Sequence, residues 1–222
     1  MIDQALLDRS SQHALDRGVR LLQGFRLDAT DESHIARLLE FMRPARGQHW
    51  LDIGSGFGEA ARLMQAARPD LRFTLINNSR YQLCHTPAQL DARFGDMHAL
   101  PFDDEEFDGA MFLYSLCHAD DFQCVLSEAA RVVRPGGALF VFDYLRRHGH
   151  AGDDALTIRF LQSRFMDFFT MQPTLEASGW SLQKFGQPVG SDALFRDLVD
   201  GDPMYDTIFA ELVPVLWRAV RP

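Results

Sequence analysis

The chain has little cysteine, a deficit of positive charge and no long apolar run. Its three cysteines, Cys84, Cys117 and Cys124, are odd in number and lack metal-ligand spacing. Neither a disulfide framework nor a metal site is implied, and they read as reduced thiols. Twenty-two Lys and Arg against 31 Asp and Glu leave a net charge of −9. That balance argues against a nucleic-acid partner, which would need a basic face to neutralise phosphates. Lysine is nearly missing, with Lys184 standing alone among the arginines, a bias that carries no functional reading. No apolar stretch reaches the roughly 20 residues of a bilayer-crossing helix, and residues 1–9 are polar and acidic, unlike a signal peptide. A cytoplasmic protein without membrane insertion is expected. No repeat, low-complexity tract or linker-like break interrupts the 222 residues, and 46% of them are apolar. One domain with a sizeable core follows.

What is present centres on residues 49–59, an apolar run ending in Asp52-Ile53-Gly54-Ser55-Gly56-Phe57-Gly58. A chain that leaves a strand and enters a helix must turn sharply, and glycines let a ligand touch bare backbone there. The dinucleotide fingerprint G-x-G-x-x-G holds a pyrophosphate. Here the spacing is G-x-G-x-G with an acid just before it, which repels phosphate and suits a cationic ligand. S-adenosylmethionine (SAM) carries both an ammonium and a sulfonium. A dehydrogenase is disfavoured by the same two features.

Residues 51–58 resemble motif I of the class I SAM-dependent methyltransferases. The resemblance implies SAM as cofactor, with Asp52, Gly54, Ser55, Gly56 and Gly58 in its loop. It continues through an Asn-rich segment, Asn77-Asn78-Ser79-Arg80-Tyr81-Gln82-Leu83, similar to that of sterol C-methyltransferases. Position 77 ends the second strand of a βαβ unit, where an acid usually takes the ribose hydroxyls. An amide there can donate to one hydroxyl and accept from the other, losing only the charge-assisted component. Asn77, Asn78 and Gln82 are accordingly cofactor candidates. Phe94-Gly95-Asp96-Met97 resembles the acidic motif after strand three, which implies that Asp96 accepts from the adenine amine and that the Met97 backbone reaches the ring. Residues 131–137, Arg-Val-Val-Arg-Pro-Gly-Gly, resemble the family's turn into strand five.

Periodicity fills in the remainder. One or two amphipathic helices are expected in residues 3–24, covering the site, and Thr30 is a plausible N-cap for a helix ending before Pro44. Strands are expected at 71–76, 108–114, 138–144, 180–185 and 213–220, with helices at 60–67, 123–133 and 192–199 and a brief helix after position 84. The fold class is α/β: a Rossmann-like seven-stranded sheet with helices on both faces and strand seven antiparallel. Segments 146–175 and 186–212 are expected to cover the substrate. The first is rich in Phe and Met, reading either as core or as a lid over an apolar acceptor. His148 and His150 read as loop residues rather than metal ligands.

Functional groups are expected where strands four and five deliver their carboxyl ends. Ser115 and His118 follow strand four, with His118 either at the cofactor or acting as general base. Tyr114, Asp143 and Tyr144 complete the catalytic candidates. A Cys117–His118 dyad is rejected, because neighbours on an extended chain point to opposite sides. The implied activity is methyl transfer to a small molecule. Carbon methylation of an isoprenoid or similar apolar natural product stands beside oxygen or nitrogen methylation of a secondary metabolite. A SAM-binding partner subunit or cyclase-like relative without transfer stays open, as does a homodimer.

Overall fold

The apolar runs around residues 50, 110 and 140 can bury both faces only in the middle of a parallel sheet, and that is where they lie. The computed structural model describes residues 3–147, 162–198 and 203–222. Among these, helices α1 (Gln4–Asp16) and α2 (Asp31–Met42) precede strand β1 (His49–Ile53), and α3 (Glu59–Ala67) leads to β2 (Arg72–Asn77). Helix α4 (Arg80–Cys84) and strands β3 (Asp91–Phe94) and β4 (Phe107–Leu113) follow, then α5 (Phe122–Val132) and β5 (Val133–Arg146). The remaining elements are α6 (Phe168–Ala177), β6 (Ser181–Gly186), α7 (Ala193–Leu198), α8 (Pro203–Phe209) and β7 (Leu212–Val220).

The strands form one seven-stranded sheet in the order β3-β2-β1-β4-β5-β7-β6. β1 runs parallel to both β2 and β4, whereas β7 inserts antiparallel between β5 and β6. The expected α/β class and the antiparallel seventh strand are both observed. Chain order reverses between β1 and β4, so a crevice opens at their carboxyl ends. Two apolar layers flank the sheet. One packs α5 and α6 residues such as Leu126 and Leu175 against Phe112, Val141 and Trp217, and the other packs α2 and α3 residues such as Leu38 and Met64 against Trp50 and Phe140.

Several boundaries differ from expectation for local reasons. The amino-terminal region holds one helix, α1, capped by Asp3 accepting from the Ala5 and Leu6 amides. Gly18, at φ +73°, ends it, and residues 19–24 continue without helix. Thr30 does cap α2, reciprocally with Ser33. Strand β5 starts before the Pro-Gly-Gly turn rather than after it, because Val133 pairs with Phe107 and the register slips before Ala138 pairs with Gly109. Helix α8 had no counterpart in the sequence pattern, and α6 forms one helix, Phe168–Ala177, at the end of the Phe- and Met-rich segment. His148, His150, Leu156 and Phe160 lie outside the described residues.

Candidate active site

The glycine loop leaves β1 at the switch point, and its geometry separates three glycines of equal appearance. All three sit at positive φ: +76° at Gly54, +56° at Gly56 and +73° at Gly58. A Cβ on Gly54 would lie 2.5 Å from Ser115 Cβ, and one on Gly58 would lie 2.8 Å from Leu75 Cδ2 and 2.9 Å from Thr86 Cγ2. At Gly56 it would meet only Leu22 Cδ1, at 3.7 Å. Gly54 therefore lets strand β4's turn approach, Gly58 lets α3 start against β2, and Gly56 is the one that keeps backbone open to the cavity. The Gly54 and Ser55 amides both donate to the Ile76 carbonyl, at 2.9 and 3.2 Å. They are not free to cradle a phosphate.

A cavity of about 140 Å³ lies over this loop. Asp52, Gly54, Ser55 and Gly56 form its floor, Asn77, Asn78 and Gln82 one wall, and Met97, Tyr114, Ser115 and His118 another. Asp52 is 1% exposed and its Oδ2 is buried without a hydrogen-bond partner. Burial pushes its carboxyl up to about 7. An orphaned carboxylate in a cavity wall is costly unless a cation or donor meets it. Ser55 Oγ is a second buried atom without a partner. An acid, an unmet hydroxyl and an open glycine suit a ligand with an ammonium and hydrogen-bonding groups, so the residues present fit SAM.

The Asn77 amide is more committed than expected. Its Nδ2 donates to the Gly56 carbonyl at 3.0 Å and to Gln82 Oε1 at 2.8 Å, and its Oδ1 accepts from the Ser79 amide at 3.1 Å. Both donor hydrogens are used, which leaves only the remaining lone pair of Oδ1 for a ribose hydroxyl. Gln82 in turn donates to Ser11 Oγ at 2.9 Å, Ser79 Oγ donates to Asp8 at 3.2 Å, and the Tyr81 hydroxyl donates to Gln12. These bonds fasten α1 over the cavity, where Leu7 reaches the lining.

Four of the expected residues stand away from the lining. Gly58 acts as described above. Asp96 Oδ1 accepts from the His98 amide at 2.9 Å and from its Nδ1 at 2.8 Å, with the carboxylate side chain 65% exposed; the adjacent Met97 supplies the lining instead. Asp143 is buried behind the cavity, where Oδ2 accepts from the Cys117 amide at 3.0 Å and Oδ1 from the Tyr144 amide at 2.8 Å. It secures the turn that carries His118, and burial holds its carboxyl up at about 6. Tyr144 packs with Ile208 and Leu212 rather than at the loop. Asp143 and Tyr144 therefore do not reach the crevice directly, because β5 is flanked by β7 and runs on to Arg146 instead of ending there.

β4 ends one residue earlier than its apolar pattern suggests. Tyr114 turns into the left-handed region, at φ +55°, which costs a non-glycine residue about 1 kcal/mol. Two bonds hold the turn: the Tyr114 amide to the Phe142 carbonyl at 2.8 Å and Ser115 Oγ to the Ile53 carbonyl at 2.5 Å. The next residues form a short 3-10 turn, Leu116–His118. His118 Nδ1 lies 3.0 Å from the Gln162 carbonyl. A carbonyl only accepts, so Nδ1 carries the proton and Nε2 the lone pair. Burial lowers the imidazole's affinity for a second proton.

Sequence reasoning missed Arg20 and Gln23, which also line the cavity. Arg20 Nη2 donates to the His85 carbonyl at 2.5 Å, and its Nε lies 3.8 Å from Glu59. Gln23 Oε1 is held 2.5 Å from His34 Nε2, while His34 Nδ1 accepts from the Leu27 amide at 3.0 Å. That pair of contacts fixes His34 with its proton on Nε2, and burial drops its value to about 4. A buried histidine at helical spacing gave no local sign of this partnership.

Residues 51–141 match the family model described as a methyltransferase domain. Together with the sheet order, this identifies residues 51–141 as a methyltransferase domain on the Rossmann-like fold that its structural neighbours share. Among curated proteins it is 33% identical over 164 residues to the O-methyltransferase resE of Aspergillus sclerotiorum, covering 69% of this chain and 59% of that one. It is 29% identical over 151 residues to the botryococcene C-methyltransferase of Botryococcus braunii, covering 64% and 40%. The chain thus spans about 60% or less of the length of these relatives. The crystal structure of the cyclase SpnF shares the fold, with a TM-score of 0.80 and 17% identity over 99% of this chain and 95% of that one.

Proposed function

We propose that this protein is a SAM-dependent methyltransferase that methylates a hydroxyl oxygen of a small-molecule acceptor, with His118 as general base. The observation that carries the reading is the Nδ1 contact to the Gln162 carbonyl at 3.0 Å on the wall of the cavity that also holds Asp52. When bound, SAM supplies a methyl group on a positively charged sulfur. In that transfer the acceptor's hydroxyl proton would go to His118 Nε2. Asp52 would hold the cationic part of the cofactor, and the cavity's role is to hold the two reactants in line and keep water out. Segment 162–166, which meets His118 and hydrogen-bonds Cys117 through the Arg164 amide at 2.6 Å, supports a substrate-covering role for 146–175. The same role is proposed for 186–212, and α1 with residues 17–30 forms the cap on the single domain.

His118→Asn is expected to lower turnover about 100-fold, the usual contribution of a positioned base, with SAM affinity unchanged by calorimetry. A folded variant with full turnover removes His118 from the chemistry. The carbon-methylation version rests on Tyr114, whose ring lines the cavity and could stabilise a carbocation. Release of S-adenosylhomocysteine with isoprenoid alkenes and not with hydroxylated acceptors favours it. Tight SAM binding with no release over either set favours a binding protein without transfer. No described helix is long and apolar enough to cross a membrane. We place the protein in the cytoplasm on the strength of its free thiols, and take it as a homodimer to be checked by sedimentation.

A further inference from the structure

Three buried polar atoms cluster beyond Tyr114 without a hydrogen-bond partner among the described residues: Arg26 Nη1, Tyr114 Oη and Tyr144 Oη. Tyr114 lines the cavity, and its ring lies 5.2 Å from that of Tyr144. Phe25 and Tyr114 both pack on the cluster that contains Tyr144, and the residue after Phe25, Arg26, lies within electrostatic reach of Tyr114. Arg26 is not a loose surface chain. Its backbone pairs with Ser191 in both directions, at 2.7 and 2.9 Å, over Gly190, where a Cβ would fall 2.0 Å from the Arg26 carbonyl. Its Nη2 holds Asp31 Oδ1 at 2.7 Å with the side chain 13% exposed, so one arm of the guanidinium is paired and the other is buried and idle.

Each buried unmet donor costs about 1–3 kcal/mol. Three converging ones are retained where a ligand satisfies them. Arginine only donates, and burial, with the nearby Asp143 and Asp192 carboxylates, pushes both tyrosine hydroxyls above their ordinary range, so that they stay protonated. The two hydroxyls interact with one another, and whichever donates to the other leaves the pair one hydrogen for a ligand. Such a set calls for an anionic oxygen. We propose that Arg26, Tyr114 and Tyr144 form a subsite that recognises a carboxylate on the acceptor. The inference rests on reading the adjoining cavity as the methyl-transfer site, and it names the acceptor class: a hydroxylated small molecule that also carries a carboxylate.

The test uses the full chain and a matched panel: 4-hydroxybenzoic and 4-hydroxycinnamic acids, their methyl esters and their primary amides. Calorimetry is run on the protein alone and with S-adenosylhomocysteine. Wild type is expected to bind the acids at least about tenfold more tightly than the esters and amides, the worth of a charge-assisted hydrogen bond. Arg26→Gln and Tyr144→Phe are each expected to cut that preference to under about threefold, with S-adenosylhomocysteine affinity unchanged. Tyr144→Phe keeps the ring packing, so it serves even if loss of the Asp31 pair destabilises Arg26→Gln. Equal binding of acids and esters by wild type overturns the proposal, as does an acid preference kept in both variants, which would leave only bridging water at the three atoms. Absence of any S-adenosylhomocysteine affinity would instead strike the methyl-transfer reading, while the acid preference of the protein alone would still decide the subsite.

Discussion

Burial of Asp52 with Oδ2 unpartnered should tie cofactor binding to proton release. Its folded value, about 7, lies above the unfolded 3.8. Its contribution to ligand-free stability is therefore full below the lower value and is lost as pH rises through the upper one. A bound cation reverses the preference and favours the ionised form. SAM affinity should rise about tenfold per pH unit up to about pH 7 and then level off. Calorimetry in buffers of different ionisation enthalpy should show proton release near pH 6. Asp52→Asn should bind more weakly with no such release; the same pH dependence in both proteins would rule Asp52 out as its source. The two glycines divide similarly. Gly58→Ala combines a left-handed backbone with the Leu75 and Thr86 contacts at 2.8 and 2.9 Å and should cost roughly 2–4 kcal/mol in chemical denaturation. Gly56→Ala should cost about 1 kcal/mol yet lose most SAM affinity, because its Cβ faces the cavity. Equal stability losses in the two variants would erase the distinction.

At the scale of elements, α1 is expected to contribute more to cofactor binding than to stability. It buries only Ser11 and Ala14, and it joins α4 through the side-chain hydrogen bonds of Asp8, Ser11 and Gln12. Deletion of residues 1–17 should leave a folded sheet, since neither main apolar layer draws on α1. SAM affinity should fall about tenfold or more, equivalent to roughly 1.4 kcal/mol, because a cavity wall is removed and Gln82 loses its Ser11 partner. Unfolding of the truncated chain by circular dichroism would show that α1 belongs to the core instead.

The whole molecule depends on the two apolar layers of the sheet. Trp217 of β7 is fully buried between β5 and β6, with its partners Val141 and Phe185 on either side. Trp217→Ala should cost about 3–5 kcal/mol, whereas Val189→Ala, at a residue 94% exposed, should stay within about 0.5 kcal/mol. Urea midpoints with unchanged slopes measure both. A small loss at Trp217 would mean that the antiparallel β7 is not integral to the core.

The sequence by itself determined the elements whose signal is local: the period of α2 and its Thr30 cap, the apolar central strands, and the glycine loop with its acid. These depend on residues within a turn or a strand of one another, so composition and spacing carry them. Most of the cavity lining on the loop and β4 was legible for that reason, from Asp52 through Ser115 to His118. The tertiary structure alone decided what depends on partners far apart in the chain. Asn77 is committed to Gly56, 21 positions away, and Gln82 to Ser11, 71 away. The His118 tautomer is set by a carbonyl 44 residues downstream. Asp143 and Tyr144 were expected at the crevice because their strand points there. The antiparallel pairing of β7 from Ala138 to Arg146 extends β5 past them, turns Asp143 into a brace and packs Tyr144 against Ile208 and Leu212. Pairing across the sheet is fixed by the packing of the folded chain as a whole, and no window along the chain contains it.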